Sequence, residues 1–183
     1  MNKTEIIDWL NKYDIKNYHI NDDLVVDVDG DVYLSHKNLT EIPFQFGKVN
    51  GDFKCWDNNL TTLEGCPEIV NGHFWCHCNQ LTSLKGCPEI INGNFDCYGN
   101  QLTSLEGCPD IINGDFWCND NNLTSLEGCP KEVNGEFDCY GNKLTSLDGC
   151  PKIINGDFDC DDYLKNSIEY KRYLIRKKLK QIS

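Results

Sequence analysis

One sentence of 21 residues recurs along this chain without a slip. "GDFKCWDNNLTTLEGCPEIVN" begins at Gly51 and is followed by "GHFWCHCNQLTSLKGCPEIIN", "GNFDCYGNQLTSLEGCPDIIN", "GDFWCNDNNLTSLEGCPKEVN" and "GEFDCYGNKLTSLDGCPKIIN". A degenerate first copy, "GDVYLSHKNLTEIPFQFGKVN", occupies residues 30–50, and a further copy opens as "GDFDCDD" at Gly156 and stops. A period this strict implies a solenoid. Each unit is one coil that cannot bury its apolar face alone, and stacking of neighbours builds a continuous core.

The fixed columns read F-x-C-x-x-N-x-L-T-x-L-x-G-C-P. In a strand, alternate residues share a face. Phe53, Phe74, Phe95, Phe116, Phe137 and Phe158 therefore point inward, together with Cys55, Cys76, Cys97, Cys118, Cys139 and Cys160 two residues on. Asn58, Asn79, Asn100, Asn121 and Asn142 form a further column, and two leucine columns run from Leu60 and Leu63. This matches the template L-x-x-L-x-L-x-x-N/C-x-L, with Phe and Cys filling the strand positions. The chain resembles short bacterial-type leucine-rich repeats, and its wording "LTSLxGCPxxINGxFxC" is most similar to leucine-rich repeat proteins of bacteriophages and large DNA viruses. The first copy departs from the pattern, with Lys37 in the Asn column and Leu34 in place of Cys.

The expected fold is a leucine-rich repeat solenoid. It has a parallel β-sheet on the concave face, a convex side that is irregular, 3₁₀ or short extended, and a helical cap at each end. Asn-Gly between apolar runs, as in "EIINGNFDC", also signals a hairpin. A hairpin array would leave the Leu-Thr-x-Leu columns unexplained, so Asn-Gly reads as the bend feeding each concave strand. "GCP" is the opposite bend, where Gly tolerates the turn and Pro starts the next segment. Three parts follow: an N-terminal cap over 1–29, the solenoid over 30–161 and a C-terminal capping helix over 162–183. In the first, "TEIIDWLNKY" reads as a helix with Thr4 as N-cap. In the last, Ile168, Ile175 and Leu179 recur at helical spacing, extended by Leu164 and Ile182, after a start at Asn166/Ser167.

The chain holds 12 cysteines, and "GHFWCHC" gathers His73, Cys76, His77 and Cys78 into one short stretch. Zinc needs four ligands converging at about 2.0–2.3 Å. His73 and His77 stand on the outward face about 13 Å apart along a strand, while Cys76 points inward. The cysteines instead form two core ladders, the second being Cys66, Cys87, Cys108, Cys129 and Cys150, since Cys behaves as a small buried hydrophobe. Cys78 belongs to neither ladder and is the expected reactive thiol. "DVDGD" at 27–31 lacks the spacing of a calcium loop and reads as a turn. No metal and no cofactor are expected.

Net charge is −12; the segment from Lys165 carries +6, so residues 1–164 carry −18. A body this acidic repels nucleic acid and anionic membranes and attracts basic partners. No stretch approaches the ~18 apolar residues of a membrane helix. The N-terminal sequence lacks an apolar h-region, so a cytoplasmic setting with reduced thiols is expected.

What varies is the outward face of the strands. Tyr33, Lys54, Trp75, Asp96, Trp117, Asp138 and Asp159 form one outward column, and Ser35, Trp56, His77, Tyr98, Asn119, Tyr140 and Asp161 a second. A third, at the strand start, contains His73 and Asp115. Together the columns make a concave sheet whose N-terminal half is aromatic and whose C-terminal half is acidic. Exposed Trp and Tyr on a rigid surface anchor protein interfaces. Phosphate-loop, nucleophile-elbow and zinc-protease motifs are missing. The expected role is non-enzymatic binding of a protein by a monomer or weak oligomer, with the phage-like wording implying a host protein, such as a defence component, as partner. The alternatives are an acidic nucleic-acid mimic and a carbohydrate binder using the Trp row.

Overall fold

The structure is a computed structural model that describes residues 1–180. Helix α1 (Lys3–Lys12) is followed by β1 (Tyr18–Ile20) and β2 (Val26–Val28), and then by a chain of two-residue strands that alternate between two sheets. β3 (Val32–Tyr33), β5 (Phe53–Lys54), β7 (Phe74–Trp75), β9 (Phe95–Asp96), β11 (Phe116–Trp117), β13 (Phe137–Asp138) and β15 (Phe158–Asp159) form a parallel seven-stranded sheet. β4 (Phe46–Val49), β6 (Ile69–Val70), β8 (Ile90–Ile91), β10 (Ile111–Ile112), β12 (Glu132–Val133) and β14 (Ile153–Ile154) continue from β2 in an eight-stranded sheet. That sheet is parallel except for the antiparallel β1–β2 pair at its start. The solenoid expectation holds, and the "EII" side resolves as short extended strands that form a sheet of their own.

Asn-Gly lies between strands of different sheets, which removes the hairpin reading. Close approach, rather than turn geometry, requires this glycine. A Cβ at Gly72 would stand 2.3 Å from Asp52 Oδ1 of the preceding coil, and one at Gly114 would stand 2.1 Å from Asn94 Oδ1. The glycine of "GCP" is different: Gly86 has φ +86°, the left-handed region that costs other residues strain.

The core runs unbroken from cap to cap. Trp9 of α1 meets Phe46 at 6.5 Å between ring centroids and Phe46 meets Phe53 at 5.4 Å. The Phe column then continues at 5.2–5.9 Å per coil to Phe158. Offset aromatic pairs at these separations add about 0.5–1.5 kcal/mol each beyond burial. All twelve cysteines are free thiols. Those of the first ladder are fully buried, those of the second mostly part-buried, and burial pushes Cys97 and Cys118 well above the ordinary thiol range.

The Asn column closes the backbone accounting. Asn79 Oδ1 accepts from the Leu60 N–H (3.0 Å), while its amide donates to the carbonyls of Cys55 and Cys76 (3.0 Å each). One buried side chain thus ties two coils together.

Both caps differ from expectation in detail. The N-cap of α1 is Asn2, not Thr4. Asn2 Oδ1 accepts from Glu5 N–H, and the Glu5 carboxylate accepts from the Asn2 N–H, a reciprocal capping box. In α2 (Ile168–Lys180) the stripe Ile168, Ile175, Leu179 faces solvent rather than the last coil, with 57–63% exposure. The helix docks instead through Tyr170 and Tyr173, each 5.4 Å from Phe158, helped by buried Leu164. A solenoid that ends on a flat phenyl ring is matched better by rings than by branched aliphatics. Tyr173 Oη also donates to Gly156 O (3.2 Å), and Arg176 donates to Lys152 O, so α2 occupies carbonyls around the last coil that would otherwise invite another strand. Ser167 Oγ accepts from Tyr170 N–H at the helix start, as expected. Ile182 lies outside the described residues.

Candidate functional site

Strand pairing aligns the outward residues one above another. Tyr33 pairs with Lys54, Lys54 with Trp75, Trp75 with Asp96, Asp96 with Trp117, Trp117 with Asp138 and Asp138 with Asp159. The column has no register slip, so side-chain chemistry alone distinguishes its two ends.

At the N-terminal end the side chains lock one another. Lys54 Nζ sits 4.7 Å from the Tyr33 ring centroid and 4.6 Å from that of Trp75, within cation–π range of both, and 2.9 Å from Asp52. Partial burial disfavours the ammonium, but the Asp52 carboxylate outweighs it and raises the Lys54 pKa. Tyr33 Oη donates to Asp31 (2.7 Å). In the second column Trp56, His77 and Tyr98 stack at 5.1 and 4.7 Å with planes within 16°. His36 closes the pile edge-on against Trp56 at 4.1 Å. A hydrogen bond with Cys78, together with burial, pushes the Tyr98 hydroxyl up to about 12.

Several expected site residues are consumed by the scaffold. Asp96 is 6% exposed and is therefore corrected from an outward contact to a buried one. Its Oδ2 lies 2.9 Å from His77 Nδ1, an ion pair when the imidazole is protonated but poorly aligned as a neutral hydrogen bond. Its Oδ1 accepts from Tyr98 N–H (3.2 Å). From Asp31 to Asp115 the strand-start column is a further ladder in which each side chain accepts from the backbone N–H one coil on. Asp52 accepts from His73, His73 Nδ1 from Asn94, Asn94 from Asp115 and Asp115 from Glu136, all at 2.8–3.0 Å. His73 also stacks on Trp75 at 5.6 Å. His73 and Asp115 thus hold the register, and only the rest of each side chain is left for a partner.

The surface that remains is led by Tyr33 and Tyr140, about half exposed, with Trp56, Trp75 and Trp117 part-exposed between them. Sequence reasoning missed His36 and Asp57. Both stand in the left-handed position just after the second column (φ +57° and +52°), shared in later coils by Cys78, Gly99, Asp120 and Gly141. The succession of Gly and Asp at this place was a readable signal.

At the C-terminal end carboxylates replace rings. Burial and the neighbouring carboxylates of Asp159 and Glu136 push Asp138 up to about 6, against the Tyr140 N–H that it accepts (2.9 Å). Helix α2 supplies Lys177 to Asp157, and the segment before it supplies Lys165 to Asp159 at 3.4 Å. Among the described residues, no three His, Cys, Asp or Glu side chains are placed to hold a metal ion, and no helix is long and apolar enough to cross a membrane. No family model, no curated protein and no solved structure matches this chain.

Proposed function

We propose that this solenoid is a non-enzymatic recognition module that binds a protein through the aromatic half of its seven-stranded sheet. The observation that carries the reading is the stack Trp56–His77–Tyr98 beside the Tyr33–Lys54–Trp75 sandwich. These rings are held by one another and by in-register strands, so little side-chain entropy is lost when a partner covers them. Amphipathic rings of this kind are the usual anchors of protein interfaces. The repeat wording, which resembles that of phage and large-virus proteins, supports a partner from an infected host, with inhibition of a defence component as the finer proposal.

The acidic half favours nucleic-acid mimicry less than its composition does. Lys165 and Lys177 already neutralise part of it, and Asp138 gives up charge as pH falls toward 6. Capture of a partner from host lysate followed by affinity measurements at rising salt tests the reading. An aromatic-anchored complex weakens little between about 50 and 200 mM salt, whereas mimicry of a phosphate backbone loses orders of magnitude. Binding to glycans rather than to protein would favour the carbohydrate alternative.

A further inference from the structure

The opposite face carries a second surface that the recognition reading does not use. On the eight-stranded sheet, Ile69, Ile90, Ile111 and Ile153 stand in one outward column, begun by Lys48 and interrupted by Glu132. Ile90, Ile111 and Ile153 are 44–49% exposed. Three isoleucines in succession, Ile69, Ile90 and Ile111, with Ile153 beyond Glu132, make an outward apolar stripe on this sheet of the kind that marks interaction sites.

The two flanks of the stripe indicate what covers it. On one side Asn50, Asn71, Asn92, Asn113, Asn134 and Asn155 donate side chain to side chain along the solenoid, from Asn71 to Asn50 at 3.0 Å through to Asn155 to Asn134 at 2.6 Å. Their amides are already partnered, so covering them leaves few polar groups unsatisfied. On the other side the exposed residue before each isoleucine changes sign along the axis. It is Glu68, Glu89 and Asp110 in the first half, then Lys131, which precedes Glu132, and Lys152. Lys131 pairs with Asp110 at 2.6 Å, so Glu68 and Glu89 at one end and Lys152 at the other carry the charge contrast. Glu68 and Lys152 are four coils apart, about 19 Å at the spacing of paired strands.

We propose that this face is a self-association surface, on which a second copy of the chain packs face to face with its solenoid axis reversed. A two-fold axis lying in the interface along the strand direction brings isoleucine column against isoleucine column. It also sets the acidic end of each flank against the basic end of its partner's, the isologous arrangement in which one patch is its own complement. An anionic lipid surface would be repelled by the acidic end, and a uniformly charged protein would meet one end with like charge. Two chains of net charge −12 repel at long range. At physiological salt that repulsion is screened beyond about 8 Å, while pairs across the interface lie within that distance, so the dimer is weak and favoured by moderate salt.

Sedimentation equilibrium of the full chain from micromolar to millimolar concentration tests this. The wild type is expected to dimerise, and Ile90→Lys with Ile111→Lys to be monomeric with an unchanged melting temperature, since both side chains are exposed. Glu68→Lys with Glu89→Lys leaves Asp110 as the one acid of a basic flank, and Lys131→Glu with Lys152→Glu makes it wholly acidic. Each variant alone should dimerise at least about tenfold more weakly, and an equimolar mixture of the two should recover a heterodimer. A wild type that stays monomeric throughout, a dimer indifferent to the isoleucine substitutions, or charge variants that fail to recover on mixing would each overturn the proposal.

Discussion

The two halves of the seven-stranded sheet share a backbone and differ in what they present outward. In the aromatic half each charge is absorbed locally, with Lys54 held between two rings and Asp96 buried against His77. In the acidic half carboxylates of successive coils stand over one another, and relief comes from elsewhere: protonation of Asp138 and bases brought by the C-terminal segment. The core is indifferent to the difference, since Phe74 and Phe137 are equally buried and the Asn column makes the same bonds in both halves. The inward columns therefore set the stability of a coil, while its outward residues are left free for other uses, at a cost that the caps absorb.

The largest break in this comparison should come from removing the C-terminal segment. A chain ending at residue 161 loses Lys165 and Lys177 and bares Phe158, with the buried contacts of Leu164, Tyr170 and Tyr173 gone. At about 1.5–3 kcal/mol per buried side chain, roughly 5 kcal/mol is lost. The expected outcome is aggregation or a melting temperature far below that of the full chain, starting from the acidic end. Equal stability by calorimetry would mean that α2 is not a cap.

A smaller break tests whether the scaffold is common to both halves. Asn79→Ala and Asn121→Ala each remove a buried amide with bonds into two coils. Each should cost about 2–3 kcal/mol in chemical denaturation, because backbone groups are left unsatisfied. A difference of more than about 1 kcal/mol between them would show that the halves are not equivalent inside.

The finest contrast is one of sign. Asp96→Asn loses the partner of His77 and should destabilise by about 1 kcal/mol. Asp138→Asn should stabilise at neutral pH. The folded-state pKa of Asp138 is raised to about 6, so the protonated form is favoured on folding. Its contribution is full below the unfolded value near 4 and is lost as pH rises through 6. Since Asp138 is only partly buried, screening limits the gain to about 0.5–1 kcal/mol. Melting curves at pH 4 and 7 should converge for Asp138→Asn and diverge for the wild type.

The inward columns were legible because a strict period forces every coil to bury the same positions, so Phe, Cys, Leu and Asn had to stack. The outward face was legible only as a set of positions. That Asp96 sinks between Trp75 and Trp117, or that His73 accepts from the next coil's backbone, depends on side chains from three coils meeting at once, and no spacing rule encodes that. At the C-terminus the helical stripe Ile168, Ile175, Leu179 was visible, but the docking face was not. Tyr170 and Tyr173 prevail because the solenoid ends on the ring of Phe158.

The claim that one half recognises and the other does not is tested most directly by two double variants against a captured partner. Trp56→Ala with Trp75→Ala removes two part-exposed rings of the aromatic half, and Asp138→Asn with Asp159→Asn removes charge from the acidic half. Trp75 also braces Lys54 and His73, so folding of each variant is checked by its melting curve. With both variants folded, the tryptophan pair should weaken binding at least about tenfold and the aspartate pair by less than about twofold in isothermal titration. Loss of binding in the aspartate pair with normal binding in the tryptophan pair would contradict the account and place recognition in the acidic half.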